Sequence, residues 1–321
     1  MDLQLLVLTA AVSFVLALLA GPLCIPLLQR LKFGQQVRGE GPQAHLKKAG
    51  TPTMGGIVIL LAFTLAFAKF SVVNTEFYVV LTATLGFGLI GLLDDWIKIA
   101  KRRSMGLTSL QKLAGQLFFS AIVCALLIRS GHGTGLSIPG TSIVFDGGAG
   151  FYYPFIVIML LAISNAVNFT DGVDGLLSSV SAPAFGAYAL IAMQATQFPA
   201  ALGSSAMAGA VLGFLVYNAH PAKVFMGDTG SLGIGGALGA VAILTKQELL
   251  FLLIGGVFVI EMLSVVLQVL SFKTRGKRIF KMSPIHHHYE LSGWSEWRIV
   301  AVFFGVSLIL AALGLYLGKG L

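Results

Sequence analysis

Charge is what this sequence most lacks: Asp, Glu, Lys and Arg make up 11% of its 321 residues, against 56% hydrophobic. Soluble domains carry about a quarter charged residues, so an ordinary water-exposed globule is excluded. Cysteine is scarcer still. Cys24 and Cys124 sit in or beside apolar runs without paired spacing, which argues against disulfides and thiolate-metal sites and leaves both as packing residues. The first apolar run has no basic segment before it and no clear cleavage site, so it reads as a retained membrane helix and not a signal peptide. No recognisable module and no aromatic-basic interleaving accompanies the net charge of +8, which sets nucleic acid aside as a partner.

What is abundant is apolar run. Mean hydropathy is +0.89. Stretches near the ~20 residues that cross a bilayer as a helix lie at about 3–21, 54–70, 77–93, 113–129, 152–167, 175–194, 200–217, 231–246, 249–270 and 298–317. The expected fold is an all-α polytopic membrane protein, one domain over 1–321, with about ten transmembrane helices; short and Gly/Pro-interrupted runs allow nine or eleven. Gly131 to Gly150 reads as a small extracytoplasmic hairpin, with strands at Ile138 and over "TSIVF".

Positive loops mark the cytoplasmic side. Sorted between alternate loops of this map, 17 of the 21 Lys and Arg fall on one side, and only Lys69, Arg129, Lys246 and Lys319 on the other. Both termini are therefore expected outside, with the positive charge concentrated on the inner face. Such a face fixes topology and meets anionic lipid heads; it also suits a polyanionic substrate.

Five of the 13 acidic residues, Asp94, Asp95, Asp171, Asp174 and Asp228, lie at inner helix ends on this map, among apolar residues and glycine. They come from three separate loops, the pattern of a site built at one membrane surface on a rigid scaffold. Asp94 and Asp95 close "GFGLIGLLDDW". Adjacent carboxylates repel unless a cation or a shared proton relieves them, so a bound metal or a general base is favoured. In "NFTDGVDGLL", Thr170 and Asp171 read as caps for the next helix, or as part of a cleft.

"NAHPAKVFMGDTGSLGIGG" places Asp228, Thr229 and Ser231 at a helix start, where free amides and glycine favour an anion. Gly233, Gly235, Gly236 and Gly239 match GxGxxG, but no strand precedes them and close helix packing is the better reading. In "PIHHHYE", with no cysteine near, the histidines read as phosphate or sugar contacts, while the carboxylates are hard oxygen ligands of the kind Mg²⁺ takes. Glu261, inside an apolar run, is a functional candidate without an assigned role.

"LLDDW", "NAVNFTDGVDGL", "NAHPAKVFMGDTGSL" and "PIHHHYE", in that order, together with "TPTMGG" and "QKLAGQ", resemble the phospho-N-acetylmuramoyl-pentapeptide transferases over nearly the whole chain. The wider superfamily moves a sugar phosphate from a UDP-activated amino sugar to a polyprenyl phosphate. The three histidines followed by Glu290 mark the muramoyl-pentapeptide branch.

The resemblance implies transfer from UDP-MurNAc-pentapeptide to undecaprenyl phosphate, giving lipid I and UMP in the bacterial cytoplasmic membrane. It also implies Mg²⁺, an inner-face active site, contact with membrane lipid, and a homodimer. On that basis Asp228 is the expected metal ligand, and Asp94 or Asp95 the group that deprotonates or holds the lipid phosphate. Asp171, Asn165 and Asn168 are expected in the nucleotide-sugar cleft, with Asp174, Asn218 and Phe225 also binding substrate. Lys112 is expected on a phosphate, and His286, His287 and His288 on the opposite wall. A one-step transfer and a covalent phospho-enzyme both stay open. The alternatives are a sister transferase using UDP-N-acetylglucosamine and, more distantly, a transporter, whose essential charges should lie near the membrane midplane.

Overall fold

The computed structural model describes residues 2–30 and 50–318. In chain order the elements are α1 (Leu3–Arg30), α2 (Gly56–Phe70), α3 (Thr75–Ala100), α4 (Ser109–Arg129), β1 (Gly135–Ser137), β2 (Val144–Asp146), α5 (Ala149–Thr170), α6 (Leu176–Gln194) and α7 (Phe198–Asn218). There follow α8 (Gly227–Leu244), α9 (Phe251–Ile254), α10 (Gly256–Arg275), α11 (Ile285–Glu290) and α12 (Glu296–Gly318).

Among the described residues, nine helices are long and apolar enough to cross a membrane. The tenth run becomes α2, whose 15 residues span about 22 Å, short of the ~30 Å hydrocarbon core. Every expected run thus finds a helix, and the all-α polytopic fold stands. Two boundaries differ for physical reasons. Helix α3 runs past its apolar stretch through Asp94 and Asp95 to Ala100, because packing and ion pairs hold its charged last turns. The run at 249–270 is broken at Gly255, which both ends α9 and precedes α10. Lys32, Arg38, Lys47, Lys48 and Lys319, all counted in the charge map, lie outside the described residues.

Helix α8 is the hub of the bundle. Every residue from Thr229 to Leu244 is buried, with α3, α5 and α2 against it. Small residues let backbones approach closely where apolar packing gains nothing over lipid. A Cβ on Gly91 of α3 would fall 2.0 Å from the Asp228 carbonyl oxygen, so only glycine there lets α3 touch the start of α8. The GxGxxG match belongs to this packing, since Gly235 meets Ser164 and Gly236 meets the Ala83 carbonyl. Helices α1, α4 and α12 flank the bundle and turn Leu, Val, Ile and Phe side chains outward, as lipid requires.

The hairpin between α4 and α5 is present, with Gly135 opposite Asp146 and Ser137 opposite Val144. Its first strand lies before Ile138, which still donates its amide to Ile143 O at the tip. A polar knot ties the hairpin base to the end of α8. Lys246 Nζ donates to Gly133 O at 2.6 Å and to the Tyr152 hydroxyl at 3.0 Å, and that hydroxyl donates to Glu248 Oε1 at 2.5 Å.

Candidate active site

Asp94 and Asp95 sit on α3, and Lys98 follows at i+4 and i+3, so all three project from one stretch of one helix. Lys98 Nζ lies 2.6 Å from Asp94 Oδ2 and 3.5 Å from Asp95 Oδ1. From the start of α8, Asp228 brings Oδ2 to 3.2 Å from the same ammonium. Lys112, one turn into α4 after the Thr108–Gln111 capping box, closes the cluster at 2.5 Å from Asp228 Oδ2 and 3.1 Å from Asp94 Oδ1. Three carboxylates and two ammonium groups therefore share one point, and each of the three offers an oxygen within 4.8 Å of the others.

The three carboxylates are not equivalent. Asp95 Oδ2 accepts from both the backbone amide and the hydroxyl of Thr229, at 2.9 and 2.8 Å, and so pins the first turn of α8 to α3. Asp94 Oδ1 accepts from the Leu107 amide at 2.8 Å. Their side chains are 3% and 1% exposed, whereas Asp228 is 16% exposed. Asp228 is thus the member turned to the opening. Its Oδ1 accepts from Asn168 Nδ2, which also reaches Ser231 Oγ.

These groups form one end of a cavity of about 1520 Å³. The last turn of α5 and the loop after it supply Asn168, Asp171 and Asp174 to its wall, the end of α7 and the loop after it supply Asn218 and Phe225, and α11 supplies His287. Further cations line the cavity, among them Arg102, Lys273, Arg278 and Lys281. Burial, and behind it the Asp228 carboxylate, pushes the Asp171 carboxyl up to about 8. This environment disfavours the ionised carboxyl, and a positive charge placed nearby would favour it.

Other expected positions take different places. Asp171 closes α5 as its C-cap, Thr170 is the last residue of that helix, and α6 starts from Gly175 in a left-handed conformation without a side-chain cap. The capping reading of Thr170 and Asp171 is therefore replaced by a wall position for Asp171. Asn165 stays off the cavity wall and donates to Gln116 Oε1 and Leu161 O. Asn218 lines the wall while bracing it, accepting from the Gly175 amide and donating to Val224 O. Asp174 accepts from the Ala222 amide and faces His220 Nδ1 at 3.0 Å.

The histidines part company. His286 is fully buried, away from the cavity. His287 reaches the cavity with its Nδ1 2.5 Å from Glu290 Oε2, and His288 Nδ1 accepts from the Lys281 amide outside the cavity lining. Lys98, which the charge map counts only as one of its 17 loop cations, stands in contact with all three carboxylates. Its signal was present: a lysine three and four residues after two aspartates.

The carboxylate cluster fits a hard divalent cation, since all its donors are oxygens and the two lysines already mark the point as one that demands positive charge. A family model described as glycosyl transferase family 4 matches residues 77–246, and phospho-N-acetylmuramoyl-pentapeptide-transferase signature 1 matches residues 48–60. The phospho-N-acetylmuramoyl-pentapeptide-transferase of Bacillus pumilus is 56% identical over 318 residues, covering 98% of each chain. Those of Halalkalibacterium halodurans and Bacillus subtilis are 55% and 54% identical, again over 318 residues and 98% of each chain.

Proposed function

The chain belongs to the phospho-N-acetylmuramoyl-pentapeptide transferase family, and from that premise we propose how its residues divide the work. The reaction moves phospho-MurNAc-pentapeptide from its UDP carrier to undecaprenyl phosphate, releasing UMP and leaving lipid I in peptidoglycan synthesis. Joining two anions is slow chiefly through charge repulsion, so catalysis is positioning plus neutralisation. The observation that carries the reading is the meeting of Asp94, Asp95 and Asp228 with Lys98 and Lys112 at one end of a large cavity.

Asp228, the most open of the three, would hold Mg²⁺ with Asp94 beside it, and the ion would neutralise the diphosphate when bound. Asp95 holds the first turn of α8 in place through Thr229. Asp94, whose Oδ2 faces only the ammonium of Lys98 among the described residues, takes the proton of the lipid phosphate or keeps it a dianion. Lys98 and Lys112 then exchange carboxylate for phosphate oxygens. Asn168, Asp171, Asp174, Asn218 and Phe225 form the nucleotide-sugar wall, with His287 opposite. The working unit is a homodimer in the bacterial cytoplasmic membrane, with the cavity opening to the cytoplasm.

The test is product formation by the purified protein in detergent, with radiolabelled UDP-MurNAc-pentapeptide, undecaprenyl phosphate and Mg²⁺. Lipid-linked label and UMP are expected; lipid-linked product from UDP-N-acetylglucosamine alone would overturn the reading in favour of a sister transferase. His287→Ala should raise KM for the nucleotide sugar about tenfold, the loss of one charge-assisted contact, and leave bound Mg²⁺ unchanged. Loss of the ion instead would make this histidine a ligand. Orientation has its own measurement. In a background lacking Cys24 and Cys124, cysteines at exposed Lys101 and Ser292 should react only from the cytoplasm and one at exposed Ser142 only from outside; any reversed site breaks the topology.

A further inference from the structure

Glu261 and His286 are each 0% exposed. Glu261 Oε2 and His286 Nδ1 face each other at 3.1 Å, at an angle too oblique for a hydrogen bond. Among the described residues, no hydrogen-bond partner reaches either carboxylate oxygen or either ring nitrogen. Burying such groups is costly, and a buried ion pair is weak support for stability, so this one calls for a reason other than holding the fold together.

Its surroundings supply the reason. The loop after α10 does not leave the helix end freely. Gln268 Oε1 accepts from the Ile279 and Phe280 amides at 2.9 and 3.0 Å, and its Nε2 donates to Phe280 O at 2.9 Å. That clamp folds the loop back along α10 and lays α11 beside Glu261. The far side of the His286 ring then rests on Gly172, where an added Cβ would fall 2.1 Å from Nε2. Gly172 lies between Asp171 and Asp174 in the stretch that walls the cavity, and the next residue after His286 is the cavity-lining His287. A carboxylate buried among apolar residues, an imidazole and a substrate loop are thus stacked in one line across three elements.

We propose that Glu261 is a positioning residue for the nucleotide sugar: through His286 it sets the place of the Gly172 backbone and hence of Asp171 and Asp174. The proposal rests on the assignment of that loop to the nucleotide-sugar wall. Glu261 touches no substrate. Its carboxylate faces the imidazole at 3.1 Å and the imidazole meets the loop by contact, so the place of the loop depends on both buried groups. His286 and its neighbour thus divide the work: one histidine sets the wall and the next lines the cavity.

Steady-state kinetics of the full chain in detergent test this with Glu261→Gln, His286→Gln, the double variant and Gly172→Ala. Each single change should raise KM for UDP-MurNAc-pentapeptide about tenfold and leave KM for undecaprenyl phosphate within about twofold, because one wall moves and the reacting cluster does not. The double variant should be no worse than the poorer single, since the pair acts as one device. Glu261→Gln and His286→Gln effects that multiply, or a fall in kcat tracking the folded fraction with both KM values unchanged, would overturn the proposal. Gly172→Ala perturbs the loop directly, without removing either buried group. If it raises the nucleotide-sugar KM and Glu261→Gln does not, the pair is merely structural; if it raises only the undecaprenyl phosphate KM, the underlying loop assignment is what fails.

Discussion

Asp228→Asn is expected to fold and yet lose about 10³-fold or more of turnover, the scale of a charge-stabilising contact made at a phosphoryl centre. The substitution keeps the side chain's shape, and its remaining oxygen can still accept from Asn168, which approaches Oδ1 at 3.0 Å. It relieves repulsion from Asp94 and Asp95 but also takes a charged partner from Lys98 and Lys112, so the two effects on stability oppose each other and the folded fraction is measured alongside turnover. What it removes is the only strongly cavity-facing negative charge in the cluster, 16% exposed against 1% for Asp94 and 3% for Asp95. The measurement is lipid-product formation against Mg²⁺ concentration. Near-normal turnover at ordinary Mg²⁺ would reduce Asp228 to a first-turn helix residue and require rebuilding the site around Asp94 and Asp95.

Lys98→Met should lower turnover about 10²-fold while tightening divalent-ion binding, opposite signs that follow from one charge. Lys98 approaches all three carboxylates. Without it the cluster keeps only Lys112 as a counter-charge, so a metal ion is held more strongly, but the group that would receive the displaced phosphate charge is gone. Buried carboxylates left without a partner are also destabilising by a few kcal/mol, so the variant should be assayed with Mg²⁺ present throughout. Lys98→Arg, which keeps the charge, should recover part of the rate. Full activity of Lys98→Met would place this lysine among ordinary topology-setting cations.

The bundle was legible because lipid imposes a simple rule: a membrane helix must be apolar for about 20 residues, and nine of the ten apolar stretches in the sequence became helices of that kind among the described residues. Helix ends were less legible. Asp94, Asp95 and Lys98 interrupt the apolar run of α3 without ending the helix, because they satisfy one another and Asp228 across 130 or more residues of sequence. The carboxylates themselves stood out as charges among apolar residues and glycine. Lys98 did not, being one of 21 Lys and Arg residues, most of them in or beside loops.

The histidines show a different limit. Consecutive helical residues point about 100° apart, so three adjacent histidines cannot line one wall: His286 turns inward to Glu261, His287 to the cavity, and His288 to the Lys281 backbone. That α11 is helical, and that Gln268 folds the preceding loop back along α10, are tertiary facts which the letters "PIHHHYE" do not carry. Asp171 could be read from its letters as a cap or as part of a cleft, and the cavity lining includes it. Its type favours helix caps, but here a left-handed Gly175 starts α6 and frees the carboxyl for the wall.

The central claim is that one divalent ion sits at Asp228, supported by Asp94, and that Asp171 belongs to the nucleotide-sugar wall instead of the metal. Binding of Mn²⁺, followed by electron paramagnetic resonance on the purified chain in detergent, tests it most directly, because it reads the ion without requiring turnover. One tightly bound, Mg²⁺-displaceable ion per chain is expected in the unsubstituted protein and in Asp171→Asn, with that site lost in Asp228→Asn. Retention of the ion in Asp228→Asn, or its loss in Asp171→Asn alone, would contradict the account.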